Sequence, residues 1–583
     1  MTDSNYPPDS LAAHLDHTPR PLQFGTSGRR GAVVDLTQLE IYINALAELE
    51  YLQSLPRKEG GIARGEDFFI ASDLRPSSSA YVSEQQGRGE LTQAIIEAVR
   101  SAGMHPVYLG RIPTPALTAF ALAQSRGSIM VTGSHIPFDR NGYKVNTARG
   151  ELLKHHEQPI NEHVAKVRAR FYSETFRHSP FDAQGRFKAG HRDLPAVNPA
   201  AEQAYRRRYV DFFGRTSLAG LRLLAFQHSA VGRDLLPVIL RALGAEVIEA
   251  GRSEQFVPID TENIDAEQLA RMQALVDDAA TRHGPLDALV STDGDSDRPL
   301  MLGLEPDGTA RFFGGDLIGM ITAEFLGADA VVVPISCNDA IDRGVHKGIV
   351  EPKTRIGSPF VIAGMEAARA RGKQAVCGWE ANGGFLTGSD ILNNGNKLTA
   401  LPTRDAVLPI VAVLAAARQQ GLSLVELFAR LPERYSRAAL IRQFPRAISL
   451  DIIRRYSPHD PAIIEVEFAP DEVRVLAWNG EARSMEAAEA SALQDVRAAL
   501  SRFFQPADGF ADITRINYLD GIRLYFSNGD VAHLRPSGNA DELRIYAVAD
   551  TLERANAIAL KAVAEPDGIL RELENAVSAP VTI

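Results

Sequence analysis

The run Ile129-Met130-Val131 followed by TGSHIPFDRNGYK, residues 132–144, decides how the rest of the chain is read. A short apolar stretch that ends abruptly in a polar loop broken by Pro137 and Gly142 is a buried strand delivering side chains at its carboxyl end, where α/β proteins present chemistry. The loop holds Ser134, His135 and Lys144. Ser134 has two readings: a turn serine bonded to its own backbone, or a nucleophile or phosphoryl carrier, with His135 and Lys144 supplying proton transfer and charge neutralisation. Taken singly, His135 reads as structural or orienting and Lys144 as a surface lysine.

Outward from this loop the pattern alternates. Residues 68–71 read as a strand, 91–102 as a helix stopped by Gly103, 106–109 as a strand, 116–123 as a helix and 128–131 as a strand. Such alternation predicts βαβ units and a mostly parallel sheet. A second block (strands 221–226, 246–250 and 286–291, helices 233–243 and 265–282) runs into TDGDSDRP, and a third (helices 317–325 and 359–371, strands 330–333 and 374–377) runs into GWEANGGF. Each block thus sends a strand into a polar loop. Further on, residues 522–526 and 531–534 flank Asn528-Gly529, the strongest short hairpin signal. The expected fold class is α/β: three similar α/β domains with mixed, mostly parallel sheets at 1–199, 200–313 and 314–443, and a C-terminal α+β domain at 444–583. Residues 1–20 are expected to be a mobile tail, 52–67 a surface insertion, and 172–199 an irregular insertion that holds the first boundary.

With 583 residues, 45% of them hydrophobic and 23% charged, the chain has the composition of a multi-domain globular protein. Its net charge of −11 and pI near 5.8 give no broad basic field, so nucleic acid and anionic membrane are not expected partners. Only Cys337 and Cys377 are present, outside any C-x-x-C spacing, which fits a reducing compartment and no thiol metal site. The N-terminal stretch has no apolar signal segment. The most apolar helix candidate, 407–417, is shorter than the ~20 residues that cross a bilayer. A cytoplasmic protein, monomer or homodimer, is expected.

Asp293, Asp295 and Asp297 alternate within five residues. An EF-hand is excluded, because Arg298 stands where its glycine is required and Leu304 where its glutamate is required. A solvated acidic turn is the plain reading of D-x-D-x-D alone; the preceding strand and the following Arg298 favour Mg²⁺, a hard ion that takes carboxylates and keeps positions for a phosphate oxygen. Arg535, Ser537, Gly538, Asn539 and Arg544 follow the hairpin and read either as a phosphate cradle or as a solvated basic turn. FGTSGRRG, 24–31, with Arg30, reads equally as a loop that brings backbone N–H groups and a guanidinium to a phosphate or as a plain glycine turn, and Glu380 and Asn382 could bond sugar hydroxyls but by themselves mark only a glycine-rich turn.

Together and in this order these loops resemble the α-D-phosphohexomutase superfamily, which includes phosphomannomutases and phosphoglucomutases. TGSHIPFDRNGYK is similar to its phosphoserine loop (T-A-S-H-N-P, then N-G-x-K), DGDSDR to its metal loop (D-G-D-G-D-R), GWEANGGF to its sugar loop (G-E-x-S-G-H) and RPSGN to its phosphate loop (R-x-S-G-T). FGTSGRRG and the stretch from Lys353 also match, so the resemblance spans residues 22–550. It implies that Ser134 carries a phosphoryl group and that Asp293, Asp295 and Asp297, with a Ser134 oxygen, hold Mg²⁺. His135, Lys144, Arg30 and Arg298 would assist the transfer. Lys353, Glu380, Asn382, Arg535, Ser537, Gly538, Asn539 and Arg544 would bind the substrate. The implied reaction interconverts hexose 6-phosphate and hexose 1-phosphate, mannose favoured and glucose next, through a hexose 1,6-bisphosphate that is also the activator, in four domains around a central cleft. Phosphoglucosamine mutase and a non-catalytic sugar-phosphate-binding regulator are the alternatives. The sequence departs from the family pattern at Gly133, Ile136, Ser296, Asn382, Gly384, Asn539 and Ala540.

Overall fold

The structure is a computed structural model that describes residues 6–578 apart from 26, 263, 394 and 538–540. The chain divides into two compact units, Met1–Val332 with Gly357–Phe428, and Val333–Ile356 with Ala429–Ile583. The first unit carries three mixed sheets built on one plan.

In the first sheet the fully buried strand Ser128–Val131 lies parallel to Asp67–Ser72, which is parallel to His105–Tyr108. On its other side Ser128–Val131 turns back through the 132–139 loop into the antiparallel strand Arg140–Thr147, which pairs in turn with Arg29–Ala32. The second sheet sets Arg222–His228 parallel to both Glu246–Arg252 and Ala288–Thr292, and the latter returns antiparallel as Pro299–Leu304. The third has Ala330–Val332 parallel to Val376–Trp379, which returns as Phe385–Thr387 and then Leu401–Asp405. Each sheet therefore places one polar loop between its last parallel strand and the first antiparallel one. Apolar residues face both sides of the parallel strands, because helices cover both faces of such sheets.

The helix Gln38–Ser54 was not anticipated. It is buried on nearly every side between the helices Leu91–Ser101 and Glu157–Tyr172, so it shows no single apolar stripe. Thr37 caps it, its hydroxyl accepting from the Glu40 amide at 3.1 Å. Inside this core Arg29 Nε donates to Glu48 at 2.6 Å, Arg29 Nη1 to the Leu22 carbonyl at 2.7 Å and Nη2 to Asn161 at 3.0 Å. The guanidinium lies 3.9 Å from the ring centroid of Phe24. This pair pins the Arg29–Ala32 strand to the helix.

Three expectations are corrected. The N-terminal segment is not wholly mobile: Leu11, in the short helix Leu11–His14, is fully buried, and His14 stacks on Phe176 at 4.4 Å. Residues 52–67 are not a surface insertion throughout, since Leu52 is fully buried in the last turn of the helix Gln38–Ser54 and Ile62 is 4% exposed. Phe181, in the irregular 172–199 stretch, is fully buried in the same core. The third expectation concerns the start of the last domain. Tyr435–Arg442, placed with the third domain by the sequence reading, pairs along its whole length with Glu542–Ala549 and so belongs to the sheet of the second unit.

That sheet has eight strands, all antiparallel, in the order Tyr435–Arg442, Glu542–Ala549, Val531–Pro536, Ile522–Phe526, Ile513–Asn517, Ile463–Phe468, Val473–Ala477 and Ala482–Ser484. It contains the expected hairpin, Ile522–Phe526 with Val531–Pro536. In the first unit Val407–Gln420 is a core helix, buried from Val407 to Ala417. Among the described residues no helix is long and apolar enough to cross a membrane.

Because breaking a buried ion pair leaves one charge uncompensated, Glu48→Leu should cost ~3–5 kcal/mol of stability, whereas Arg29→Met with Glu48→Leu should recover part of that loss. Urea unfolding midpoints of the two variants test this; equal losses would show that the charge at Arg29 is not what Glu48 compensates.

Candidate active site

The three loops of the first unit meet around Ser134. Parallel register sets the first contact: Ser72 is paired with Val131, so Asp73 and Thr132 leave their strands side by side. Thr132 Oγ1 donates to Asp73 at 2.8 Å and accepts from the Ser134 amide at 2.7 Å. Arg75, fully buried, donates to the carbonyls of Pro137 (2.7 Å), Arg140 (2.9 Å), Ser134 (2.9 Å) and Ile136, and lies 3.9 Å over the Phe256 ring. Four carbonyls of one loop thus converge on one guanidinium. Ser134 itself has φ +55°, an uncommon conformation for a residue with a side chain. The surrounding bonds hold it there.

Ser134 Oγ donates to Asp293 Oδ2 at 2.8 Å and lies 3.4 Å from His135 Nδ1. Asp293 Oδ1 accepts from the amides of Asp297 (3.1 Å) and Arg298 (3.2 Å), which folds the acidic loop around it. The Lys144 ammonium donates to Asp295 Oδ2 and Asp297 Oδ2, both at 2.6 Å. Lys144 stands opposite Met130 in the antiparallel pair. Thr114 Oγ1 also donates to Asp295, at 2.6 Å. Arg404 Nη2 donates to Asp297 at 2.9 Å and Arg404 Nη1 to Glu380 at 2.8 Å, so one buried guanidinium ties the acidic loop to the 380–384 loop. Arg298 lies 3.6 Å from Asp297 and 3.9 Å from Asp293.

Burial and the neighbouring charges of Asp295 and Asp297 raise Asp293 well above the usual carboxylate range. Burial acts in the same direction on Asp295, but the charge of Lys144 and the hydrogen bonds from Lys144 and Thr114 outweigh it and hold Asp295 low. Arg404 and Lys144 do the same for Asp297. Desolvation, with Arg75 and Arg404 as like charges nearby, lowers Arg30 to about 10, still cationic at neutral pH.

The donor set fits a hard divalent ion. Ligand oxygens of Asp293, Asp295 and Asp297 lie within 4.8 Å of one another, and Asp295 Oδ1 and Asp297 Oδ1 are buried with no hydrogen-bond partner among the described residues. Buried carboxylate oxygens left in that state are costly unless a cation takes them.

Asn382 is engaged within the protein: Oδ1 accepts from the Gly384 amide at 2.9 Å and Nδ2 donates to Glu262 at 3.3 Å. In the second unit Lys353 pairs with Asp342 at 2.5 Å, Arg535 with Asp520 at 3.0 Å and Arg544 with Glu542 at 3.0 Å, while the Ser537 amide donates to the Glu542 carbonyl at 2.9 Å. Gly538 and Asn539 lie outside the described residues. Sequence reasoning missed Asp73, Arg75, Thr114 and Arg404. The first two lie in SDLRPSS, a polar loop after a strand and hence a usable signal; Thr114 and Arg404 carry no local signal.

Several departures from the family pattern have a physical cause here. A Cβ on Gly133 would stand 2.5 Å from Arg75 Nε, and one on Gly384 would stand 2.5 Å from Arg404 Cδ. Ser296 sits at φ +58°, where its hydroxyl accepts from the Gly232 amide at 2.9 Å and from Thr292 Oγ1 at 2.8 Å.

With this geometry in place, comparison with known proteins is direct. Three phosphoglucomutase/phosphomannomutase family models match: alpha/beta/alpha domain I over residues 21–171, alpha/beta/alpha domain III over 314–435 and the C-terminal domain over 474–565. A phosphomannomutase of Sinorhizobium fredii is 36% identical over 534 residues, covering 91% of this chain and 96% of its own. One from Salmonella muenchen is 33% identical, covering 92% and 93%. The crystal structure of a phosphoglucomutase/phosphomannomutase family protein from Burkholderia thailandensis shares the fold, with a TM-score of 0.58, 17% identity and coverage of 95% and 97%. The fold is that of a family of phosphoryl-transferring isomerases, and the chain belongs to the α-D-phosphohexomutase superfamily, in its phosphoglucomutase/phosphomannomutase family. It is a phosphohexomutase.

Gly133→Ala should displace Arg75 from the loop carbonyls at a cost of about 1–3 kcal/mol, and should lower turnover more than it lowers stability at the assay temperature. Thermal melts and initial rates on the same preparation check this. A second expectation concerns His228, fully buried, whose Nε2–H donates to the Thr292 carbonyl at 2.8 Å. Burial pushes its pKa down to about 4, below the ~6.5 of the unfolded chain. A base whose folded pKa is lowered stabilises fully above the unfolded value and loses that contribution as pH falls, here between 6.5 and 4, at up to ~1.4 kcal/mol per pH unit. Unfolding free energies of wild type and His228→Gln measured from pH 7.5 to 4.5 should converge toward the acid end.

Proposed function

We propose that this phosphohexomutase interconverts mannose 6-phosphate and mannose 1-phosphate, with Ser134 as its phosphoryl carrier and hexose 1,6-bisphosphate as intermediate and activator. The single observation that carries the reading is the Ser134 hydroxyl held 2.8 Å from a carboxylate of a three-aspartate loop in which two buried oxygens have no hydrogen-bond partner among the described residues. The names of the two relatives above support the mannose assignment.

Phosphorylated Ser134 donates its phosphoryl group to the free hydroxyl of the sugar phosphate: the Oγ–P bond breaks, a sugar O–P bond forms, the sugar hydroxyl gives up its proton to a base, and Ser134 Oγ takes up a proton as it leaves. The bisphosphate then turns end for end, and the phosphoryl group it carried from the start moves to Ser134 Oγ: that sugar O–P bond breaks, the sugar oxygen is protonated, and Ser134 Oγ loses its proton as the new Oγ–P bond forms. His135, 3.4 Å from Ser134 Oγ, is assigned to receive that proton. Asp293, Asp295 and Asp297 would hold Mg²⁺ together with an oxygen at Ser134. When bound, Mg²⁺ supplies charge neutralisation to the phosphoryl oxygens.

The transferring group spreads negative charge over its oxygens, so positioning and electrostatics supply most of the acceleration. Arg30 and Arg298 are assigned to that charge. Lys144 keeps Asp295 and Asp297 ionised, and Arg404 orients Glu380 toward the sugar hydroxyls. Lys353, Arg535, Ser537 and Arg544 of the second unit are assigned to the phosphate that is not transferring. In this reading the three sheets of the first unit are three α/β domains, and the second unit holds the fourth.

Wild-type protein supplied with Mg²⁺ and a trace of hexose 1,6-bisphosphate should convert mannose 1-phosphate to the 6-phosphate with a higher kcat/KM than the glucose or glucosamine ester. Failure to turn over any of the three would sink the mutase reading, and a glucosamine preference would replace the sugar. Intact mass should show a species about 80 Da heavier, the mass of one phosphoryl group, that disappears in Ser134→Ala along with at least ~10³-fold of the rate.

A further inference from the structure

Apart from the Ser134 site, the first unit holds a cavity of about 610 Å³ among the helices Thr114–Ala123, Ala200–Phe213 and Ser358–Ala370 and the strand Leu401–Asp405. That volume lies within the roughly 300–1,000 Å³ of small-molecule sites. Five cations line it, Arg149, Arg207, Arg208, Arg369 and Lys397, against two carboxylates, Asp211 and Glu366. Such a cluster is out of character for a chain with a net charge of −11. None of the five belongs to the Ser134 site.

The cations are poorly compensated. Lys397 pairs with Asp390 at 2.5 Å, but no ion pair to Arg149, Arg207, Arg208 or Arg369 is found among the described residues. Arg208 Nη1 donates to the Thr399 carbonyl at 2.8 Å, while its Nε and Nη2 are covered by protein and have no hydrogen-bond partner among the described residues. The remaining wall is apolar and includes Phe120, Ile362, Met365 and Pro402. Phe120 is held edge-on by Phe69 at 5.1 Å.

We propose that this cavity binds a nucleoside diphosphate or its sugar ester, with the diphosphate on Arg208, Arg207 and Arg369 and the flat base against Phe120 and Pro402. Several guanidiniums in one pocket match a diphosphate, whose oxygens take paired N–H donors. The cavity is too large and too apolar for inorganic phosphate or a hexose monophosphate alone to fill.

Isothermal titration of the full-length protein with GDP, ADP and pyrophosphate tests the assignment. At least one nucleotide should bind more tightly than pyrophosphate. In Arg207→Ala/Arg369→Ala, both exposed positions, its Kd should rise at least ~10-fold, with an unchanged thermal melt. Arg208→Ala should weaken binding further. Absence of nucleotide binding to wild type overturns the proposal. So does an equal Kd in the double variant, which would put the nucleotide elsewhere, and pyrophosphate binding as tightly as the nucleotides overturns the role of the apolar wall.

Discussion

Confinement of three carboxylates in a space closed to water is the constraint on which the rest of the first unit depends. Asp293, Asp295 and Asp297 are all but fully buried, and charges so placed are tolerable only when paired and hydrogen-bonded. Lys144 comes from the strand after the serine loop, Arg404 from the third sheet, Arg298 from the acidic loop itself and Thr114 from a helix start. All three sheets must therefore be in place before the acidic loop is compensated. Compensation is also incomplete, since two carboxylate oxygens keep no hydrogen-bond partner among the described residues. In the proposed function the same electrostatics serve a cation and a phosphoryl group.

The common plan of the three sheets explains how that convergence is built. Each sheet ends its parallel set in a strand that turns back antiparallel, and each turn is one of the candidate site's loops: 132–139, 293–298 and 380–384. The antiparallel return keeps the loop short and its backbone hydrogen-bonded. Arg75 does for the serine loop what Arg404 does between the other two: one buried guanidinium satisfies several oxygens in fixed directions, which a lysine could not do. Gly133 and Gly384 are the complement of these arginines, since both close approaches exclude a Cβ. The departures from the family pattern at these two glycines thus follow from local packing.

Much of the fold was legible in order and type. The helix Ala266–His283 begins at Asp265 with a full capping box, and the hairpin turn at Asn528-Gly529 joins the strands read from the sequence. The helix Gln38–Ser54 was missed because a helix buried on all faces lacks the amphipathic period that betrays a surface one. The strand Tyr435–Arg442 was assigned to the wrong neighbour because its partner, Glu542–Ala549, lies far along the chain, and strand pairing leaves no local mark. Leu11 and Phe181 sit in polar surroundings in the sequence and are buried only because the first domain's core receives them.

The amino-acid sequence alone determined which chemical groups stand at the end of each strand: a serine with histidine, three alternating aspartates, a glutamate in a glycine turn. Those groups are set by covalent neighbours a few residues away, and local spacing is readable. Only the tertiary structure decided that Ser134 meets Asp293, that Lys144 and Arg404 divide Asp295 and Asp297 between them, and that Asn382 serves its own loop. These are distances between segments brought together by strand register and core packing, and nothing in the spacing of residues along one chain encodes them directly.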